Sequence, residues 1–429
     1  MKKFLILAAL SAVLLSCGGN REQILKVYNW SDYIDETVLT DFEEWYKAQT
    51  GEDITVVYQT FDVNETMLSK IEKGHEDYDV VCPSDYIIER MLNDGLILPL
   101  DFASIPDEIN YIALNRSPFM QQMFHDINPS IDANDYSVPY MWGTTGIIYN
   151  TEEVTAEEAS TWDVIRNPKF AGRILIKDAP RDVYGPVLIY LKQKELNEGT
   201  VTLDDLMRDS SDESIAAVEN YLRQVKDGVL GWEADFGKDQ MTKGRGVISL
   251  NWSGDAVWAR DEAAEVGVSL DYIVPEEGST VWFDGWVIPK YAKNIKAATY
   301  FIDFMCRPDI AIRNMEETGY VSANGAIEVL ESQIDEEMDP IDVSYFFPGA
   351  DSVCVDPVLY PDKAVIERCA LEHDWGKDTD KLLAMWSRVK GDNASSLTYV
   401  VIVLALLAII AAVLFSNKSK KRRRKSHKK

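Results

Sequence analysis

Tryptophan and aspartate lie within three residues of each other at the ends of three apolar stretches. The pairs are Trp30 with Asp32, Trp252 with Asp255, and Trp282 with Asp284. An indole face attracts an ammonium group and covers methylene carbons, and a carboxylate neutralises the charge. In extended backbone the side chains at i and i+2 share a face, so the first and third pairs each point in one direction. The pattern predicts a cleft for an organic cation.

Each pair alone has a simpler interpretation, namely a core tryptophan beside an aspartate in the turn that ends a strand. Three pairs in one chain favour a site. Residues 83–86 and 178–182 also follow predicted strands, and loops past the carboxyl ends of strands are where open α/β sheets bind ligands. Asp182 equally suits the first turn of a helix, the usual role of such an acid. Tyr33 and Tyr320 are ambiguous in the same way.

The sequence contains no pattern for catalysis, a cofactor or a metal. A glycine-rich phosphate loop and a Gly-x-Ser-x-Gly nucleophile are both absent. Four histidines, with no Cys-x-x-Cys or His-Glu-x-x-His spacing, indicate no transition-metal site. Among the cysteines, Cys354 and Cys369 are the two that could pair. We therefore predict a binding protein with no catalytic residue, no metal and no cofactor.

The chain is strongly acidic, with 71 acidic against 43 basic residues and a formal net charge of −28. This balance argues against nucleic acid as a partner. An acidic surface raises the local concentration of cations, which agrees with a cationic ligand, although it is also a common way for a protein to stay soluble.

Short β-rich runs alternate with amphipathic stretches, which predicts an α/β fold. Residues 36–50 carry apolar side chains at helical spacing directly after the first strand, and residues 297–305 do so after the last. The length between the two ends suggests two domains or lobes. The predicted strands cover residues 24–30, 54–59, 79–82, 138–150, 173–177, 247–251, 269–274 and 281–289.

Both ends of the chain predict membrane attachment. Residues 1–17 have the layout of an export signal, and Cys17 after a small residue resembles a bacterial lipoprotein box, which predicts acylation of Cys17. Plain cleavage is the alternative. Residues 392–396 form a polar linker, and residues 397–415 are uncharged and long enough for a transmembrane helix. The basic tail, residues 416–429, is predicted to be cytoplasmic, which places the large domain on the outer face of the cytoplasmic membrane.

Five segments, taken in order, resemble the bacterial spermidine/putrescine-binding proteins of polyamine ABC importers. The likeness runs through residues 24–391, and the segments are Asn-Trp-Ser-Asp-Tyr-Ile at 29–34, Phe-Asp-Val-Asn-Glu-Thr-Met at 61–67, Tyr-Asp-Val-Val-Cys-Pro-Ser at 78–84, Tyr-Ser-Val-Pro-Tyr-Met-Trp-Gly at 136–143 and Arg-Pro-Asp at 307–309.

The resemblance implies a two-lobed periplasmic-binding-protein fold, type II-like, with crossing strands as the hinge. Residues 24–138 and 284–328 would form the N-terminal lobe, and residues 139–283 and 329–391 the C-terminal lobe. The ligand would be clamped between the lobes.

The resemblance also implies the residues that contact the ligand. Aromatic walls would pack the methylene chain, Asp284 and Asp255 would hold one terminal ammonium, and Asp182 with Asp32 would serve the other charged region. The implied positions are Trp30, Ser31, Asp32, Tyr33, Ser84, Tyr86, Asp182, Trp252, Asp255, Trp282, Asp284 and Tyr320, with Glu372 as a looser match.

Residues typical of spermidine-type and of putrescine-type members of the family occur together in this chain. Ala179 stands where spermidine-type members carry a further carboxylate, and the pattern of Asp32 and Asp255 looks more like putrescine-type members. Tyr86 and Trp282 look spermidine-like, whereas Glu372 stands where that type has glutamine. The balance leans slightly toward putrescine.

The sequence thus predicts a non-enzymatic receptor that delivers putrescine or spermidine to an ABC permease. A carbohydrate-active hydrolase is the main alternative, because glycosidases also line clefts with tryptophan and use two carboxylates. A binding protein for another solute, such as a sugar or a cationic peptide, is the third.

Overall fold

The computed structural model describes residues 21–233 and 236–391. The predicted export signal with Cys17, the linker, the membrane span and the basic tail lie outside these residues. None of the helices in the described ranges combines the length and apolar character needed to cross a membrane.

The chain forms a mixed α/β fold, which confirms the predicted class. The described part contains thirteen strands: β1 Ile24–Trp30, β2 Thr55–Phe61, β3 Val80–Val81, β4 Ser137–Asn150, β5 Ile174–Lys177, β6 Val229–Glu233, β7 Ile248–Trp252, β8 Leu270–Ile273, β9 Ser279–Val287, β10 Val321–Ser322, β11 Pro340–Ile341, β12 Val353–Cys354 and β13 Cys369–Leu371. Of these, β6, β10, β11, β12 and β13 were not predicted from the sequence.

Helices follow most of the strands. The described α-helices are α1 Thr37–Thr50, α2 Asn64–Glu72, α3 Asp85–Asn93, α4 Tyr111–Leu114, α5 Pro118–Ile127, α6 Ala156–Ala159, α7 Pro180–Leu191, α8 Gln193–Asn197, α9 Leu203–Met207, α10 Asp212–Val225, α11 Phe236–Thr242, α12 Ser253–Glu265, α13 Ile295–Met305, α14 Pro308–Thr318, α15 Ile327–Ser332, α16 Lys363–Ile366 and α17 Thr379–Lys390.

Helix α1 shows how the sequence pattern produces these elements. It buries Val38, Phe42 and Tyr46, which are spaced four residues apart and therefore lie on one face. Gly51 ends the helix at a φ of 76° and donates its backbone N–H to the carbonyl of Lys47. Glycine adopts this left-handed conformation without steric cost.

Eleven strands form one sheet, in the order β2-β1-β3-β9-β4-β7-β5-β6, with β10 and β8 paired to β4 and β13 paired to β9. Strand β1 is parallel to β2 and β3, and β5 is parallel to β6 and β7. Strands β4 and β9 are antiparallel to each other. Strands β11 and β12 form a separate pair.

Strands β4 and β9 connect two groups of elements. The first half of β4 pairs with β10, where Met141 faces Ser322, and the second half pairs with β7, where Thr145 faces Trp252. Strand β9 begins beside β13 and ends beside β3, where Val287 faces Val81. The two strands therefore cross between the group that contains β1 to β3 and the group that contains β5 to β8. That they act as a hinge stays a prediction.

The chain after α15 contacts both groups. The ring of Phe346 stacks on Trp142 at 5.2 Å, and its carbonyl accepts a hydrogen bond from the hydroxyl of Ser117 at 3.0 Å. Further along, the indole of Trp386 in α17 donates to Asp178 at 2.8 Å and packs on Trp232 of β6, in the group that contains β5 to β8.

The described cysteines, Cys82, Cys306, Cys354 and Cys369, are all free thiols. Cys354 and Cys369, the two that the sequence left available for a disulfide, are not bonded to each other. Within the described ranges, no group of His, Cys, Asp and Glu side chains is arranged to hold a metal ion.

Candidate ligand-binding cleft

Asp284 lies on β9 at the crossing between the two groups and is only 6% exposed. The hydroxyl of Tyr33 donates to its Oδ2 at 2.7 Å, and the hydroxyl of Ser84 donates to its Oδ1 at 2.7 Å. Burial raises the pKa of Asp284 to about 6, and these two hydrogen bonds oppose that rise. Asp284 is thus a buried carboxyl group that a bound cation would stabilise in its ionised form.

Parallel strands bring the partners of Asp284 to one edge of the sheet. Tyr33 follows β1, and Ser84 follows β3 immediately before α3, where it also forms an isolated bridge with Asp284. The amide of Asn64 donates to Ser84 and to the hydroxyl of Tyr86, both at 3.0 Å. These contacts fix the hydroxyl of Ser84 beside the carboxylate.

Four aromatic rings form a continuous wall next to Asp284. The ring of Tyr33 lies 5.2 Å from Tyr320, which lies 5.8 Å from Trp282, which in turn lies 6.3 Å from Trp252. A Cβ added at Gly254 would lie 2.3 Å from the ring of Tyr320. The start of α12 can approach this wall only because residue 254 is glycine.

Asp255 is neutralised by the protein itself. Its Oδ2 lies 2.7 Å from Nζ of Lys177, and its Oδ1 lies 3.4 Å from Nζ of Lys238 and accepts a hydrogen bond from Tyr320 at 2.9 Å. Burial acts to raise the pKa of Asp255, but the two lysines outweigh it and lower the pKa. That Asp255 and Asp284 hold one ammonium together stays a prediction.

Asp182 lies in the first turn of α7 and accepts a hydrogen bond from the indole of Trp252 at 2.7 Å. Burial raises its pKa, although this bond opposes the rise. Asp182 therefore lies at the start of a helix and also contacts the aromatic wall.

A group of buried acids surrounds Asp182. Burial raises the pKa of Asp85 and of Glu372 well above the usual range, and for Glu372 the charges of Asp182 and Asp85 add to the effect. Glu372 is 5% exposed, and its Oε1 has no hydrogen-bond partner among the described residues. Such a group is stable only if it is protonated or if a cation neutralises it.

Arg181 is the guanidinium next to these acids. It lies 4.3 Å above the ring of Tyr86 and donates to the carbonyl of His373 at 2.7 Å. It lowers the pKa of Glu372, but less than burial and the neighbouring acids raise it. The charges of Lys177 and Arg181 both lower the pKa of Asp182, and the four acids Asp85, Asp182, Asp284 and Glu372 outnumber these two cations.

Three predicted residues lie toward the rim. Ser31 and Asp32 are exposed, and the hydroxyl of Ser31 donates to Asp62 at 2.8 Å. Asp32 has a φ of 51° in the turn after β1. Trp30 is partly buried and packs on Phe61 at 4.5 Å. The other predicted positions lie in the network around Asp284, Asp255 and Asp182.

Sequence reasoning missed Asp85, Asn64, Arg181 and Lys177. Asp85 lies between two predicted site residues, and Lys177 is the last residue of β5, directly before the segment 178–182 that was singled out. Position at the carboxyl end of a strand was the signal that could have found both.

Replacing Glu372 by glutamine should stabilise the ligand-free protein at pH 8 by about 1–2 kcal/mol, because a neutral amide removes a buried charge that neighbouring acids oppose. Thermal unfolding at pH 8 should show a higher melting temperature than the wild type. The gain should shrink as the pH falls toward the pKa of an exposed glutamate. The exposed Glu337→Gln change is the control and should have little effect. A lower melting temperature for Glu372→Gln would contradict this account of the acid group.

A family model described as bacterial extracellular solute-binding protein matches residues 39–336, more than half of the chain. The spermidine/putrescine-binding periplasmic protein of Escherichia coli strain K12 is 29% identical over 382 residues, which cover 88% of this chain and 95% of that protein. The putrescine-binding periplasmic protein PotF of the same strain is 30% identical over 340 residues, which cover 76% of this chain and 85% of that protein.

A solved structure, described as a putative spermidine/putrescine ABC transporter from Listeria monocytogenes, superposes with a TM-score of 0.68 and 32% identity. The match covers 86% of this chain and 99% of the Listeria chain. The fold is therefore that of a periplasmic binding protein, and the family consists of solute-binding proteins rather than enzymes. The chain belongs to the bacterial extracellular solute-binding protein family.

Proposed function

We propose that this chain is an extracytoplasmic receptor that binds putrescine or spermidine between two lobes and delivers it to an ABC permease. The observation that carries the proposal is the excess of carboxyl groups, the buried Asp85, Asp284 and Glu372 and the half-buried Asp182, beside a wall of aromatic rings. The printed names of the related proteins support the same ligand class.

In this proposal one ammonium group of the ligand binds Asp284. Tyr33 and Ser84 already donate to the two oxygens of Asp284, and each carboxylate oxygen has a further lone pair for an N–H of the ligand. The hydrogen bonds from the hydroxyl groups hold the carboxylate in position before the ligand arrives, which reduces the ordering cost of binding.

The second charged region of the ligand binds near Asp182 and Glu372. These carboxyl groups have raised pKa values in the ligand-free protein. An ammonium group would relieve their mutual repulsion and favour their ionised forms. The aromatic wall from Tyr33 to Trp252 covers the methylene carbons between the charged groups, because indole and phenol faces pack on apolar chains and attract adjacent cations. Trp30 and Asp32 at the rim complete the enclosure when the ligand is bound.

The proposed lobes are residues 24–138 with 284–328 and residues 139–283 with 329–391. Contacts across the cleft support two bodies that close on a ligand. His373 lies 3.1 Å from Glu89 in α3, Arg208 lies 3.5 Å from the same carboxylate, and Tyr320 bonds to Asp255. Rotation about β4 and β9 would make and break these contacts.

We also propose that lipidated Cys17, the helix at residues 397–415, or both attach the receptor to the outer face of the cytoplasmic membrane. The sequence pattern of the two ends supports this proposal. Attachment would raise the effective concentration of the receptor near its permease.

Titration calorimetry on the purified full-length protein tests the proposed ligand class. Putrescine, spermidine, spermine and a neutral trisaccharide are the four titrants. We expect saturable binding of at least one polyamine in the micromolar range, about −8 kcal/mol, and no heat from the sugar. Binding of the trisaccharide without any polyamine would instead support a carbohydrate-directed protein.

A further inference from the structure

Lys177 places an ammonium group inside the candidate cleft. It is the last residue of β5 and is 3% exposed. Its Nζ lies 2.7 Å from Oδ2 of Asp255 and 4.1 Å from the centre of the Trp252 ring. A carboxylate and an indole face are the two partners that an alkylammonium ligand requires. The Trp252 and Asp255 pair is therefore already occupied by an alkylammonium group of the chain.

The net charge of the side chains around Lys177 differs from the net charge around Asp284. Lys177 lies 3.6 Å from Glu233 as well as 2.7 Å from Asp255, and Lys238 lies 3.4 Å from Asp255. The charges of these four side chains balance. The acids near Glu372, by contrast, outnumber Arg181, so positive charge on a ligand is favoured there and not beside Asp255.

The occupied pair belongs to the same cleft. Tyr320 donates to Asp255, its ring touches Tyr33, and Tyr33 donates to Asp284. On the other side, the indole of Trp252 donates to Asp182. Lys177 therefore stands at one end of the aromatic wall, where an additional ammonium of a longer ligand would have to go.

Resting on the proposed polyamine-binding function, we propose that Lys177 closes one end of the cleft and determines ligand length. Its side chain fills an ammonium subsite, and its charge repels any further amine that reaches this end. The receptor therefore takes a ligand with one amine fewer than the row of carboxylates and aromatic rings would otherwise accept. This role would favour putrescine over spermidine and spermine.

Affinity ratios measured on the full-length protein test the inference. Lys177→Ala should open the subsite, so the affinity for spermidine relative to putrescine should rise by about tenfold or more, as expected when a like charge is removed and a carboxylate becomes available. Lys177→Arg keeps the charge and should keep the wild-type ratio. If both variants and the wild type bind with one common ratio, Lys177 is only a structural ion-pair partner and the inference is wrong.

Lys177→Ala leaves Asp255 and Glu233 without one of their cations, so its stability needs a separate measurement. n-Propylammonium, which replaces the three carbons and the nitrogen that alanine lacks, should raise the melting temperature of Lys177→Ala more than that of the wild type. Equal shifts for both proteins would overturn the inference. Absence of polyamine binding by the wild type would refute the proposed function itself, which distinguishes that failure from an unchanged affinity ratio.

Discussion

Replacing Asp284 by asparagine should weaken putrescine or spermidine binding by about a hundredfold or more, equivalent to about 3 kcal/mol, without unfolding the protein. Asp284 is buried and receives hydrogen bonds from Tyr33 and Ser84. An amide can accept only through its oxygen, and its NH₂ group would face a donor hydroxyl. The ligand's ammonium would then be desolvated without a counter-charge, which is the expensive step in burying an ion.

Calorimetry and thermal unfolding together check this result. Because burial raises the pKa of Asp284, the ionised group costs stability in the ligand-free protein, so Asp284→Asn should melt at the same temperature or higher. Asp53→Asn is a matched control, since Asp53 is an exposed acid that pairs with Lys47. Full affinity in Asp284→Asn would remove the central acid from the proposed site.

Local pattern was sufficient to predict the strands that carry the site. Strands β1, β4, β7 and β9 follow β-rich apolar runs, and the acids at or just past their ends stand out because charge interrupts an apolar sequence. Trp282 and Asp284 share a direction for the reason that the sequence suggested, which is the two-residue period of extended backbone. The α/β class and the crossing strands followed from these runs together with the family resemblance.

Tertiary pairing could not be predicted in the same way. Lys177 and Asp255 are 78 residues apart in sequence, and a lysine at the end of a strand usually points to solvent. Only the adjacency of β5 and β7 shows that its ammonium lies over Trp252. The packing of Phe346 on Trp142 likewise depends on a long irregular segment that has no hydrophobic period to read.

The burial of individual acidic residues could not be predicted from the sequence either. Asp85 and Glu372 are ordinary acids in the sequence, yet the structure buries both. The resemblance selected Glu372 only loosely and did not select Asp85. A family pattern identifies residues that contact a ligand more readily than residues that set the electrostatic potential around it.

Ligand affinity should also fall steeply as the pH drops from 8 to 5. The pKa of Asp284 is raised to about 6 by burial, whereas alkylamines stay charged throughout this range. A proton and the ligand's ammonium therefore compete for one carboxylate. At pH 5 roughly one Asp284 in ten would be ionised, which lowers affinity by about tenfold. Asp85, Asp182 and Glu372, whose pKa values are raised too, change affinity in the same direction.

Loss of ligand affinity at low pH can be distinguished from acid unfolding, because the raised pKa of Asp284 changes affinity and folding stability in opposite directions. A carboxyl group whose pKa is higher in the folded than in the unfolded protein binds more protons when folded, so its contribution to stability increases as the pH falls from about 6 toward 4. Calorimetry at pH 8, 7, 6 and 5, in buffers of different ionisation enthalpy, would measure both affinity and the protons released on binding. We expect proton release near pH 6 and weaker binding below it, while the ligand-free protein stays folded. Affinity that is constant from pH 8 to 5, with no proton released, would show that the ligand does not bind at the buried acids, because any ammonium bound there must displace their protons.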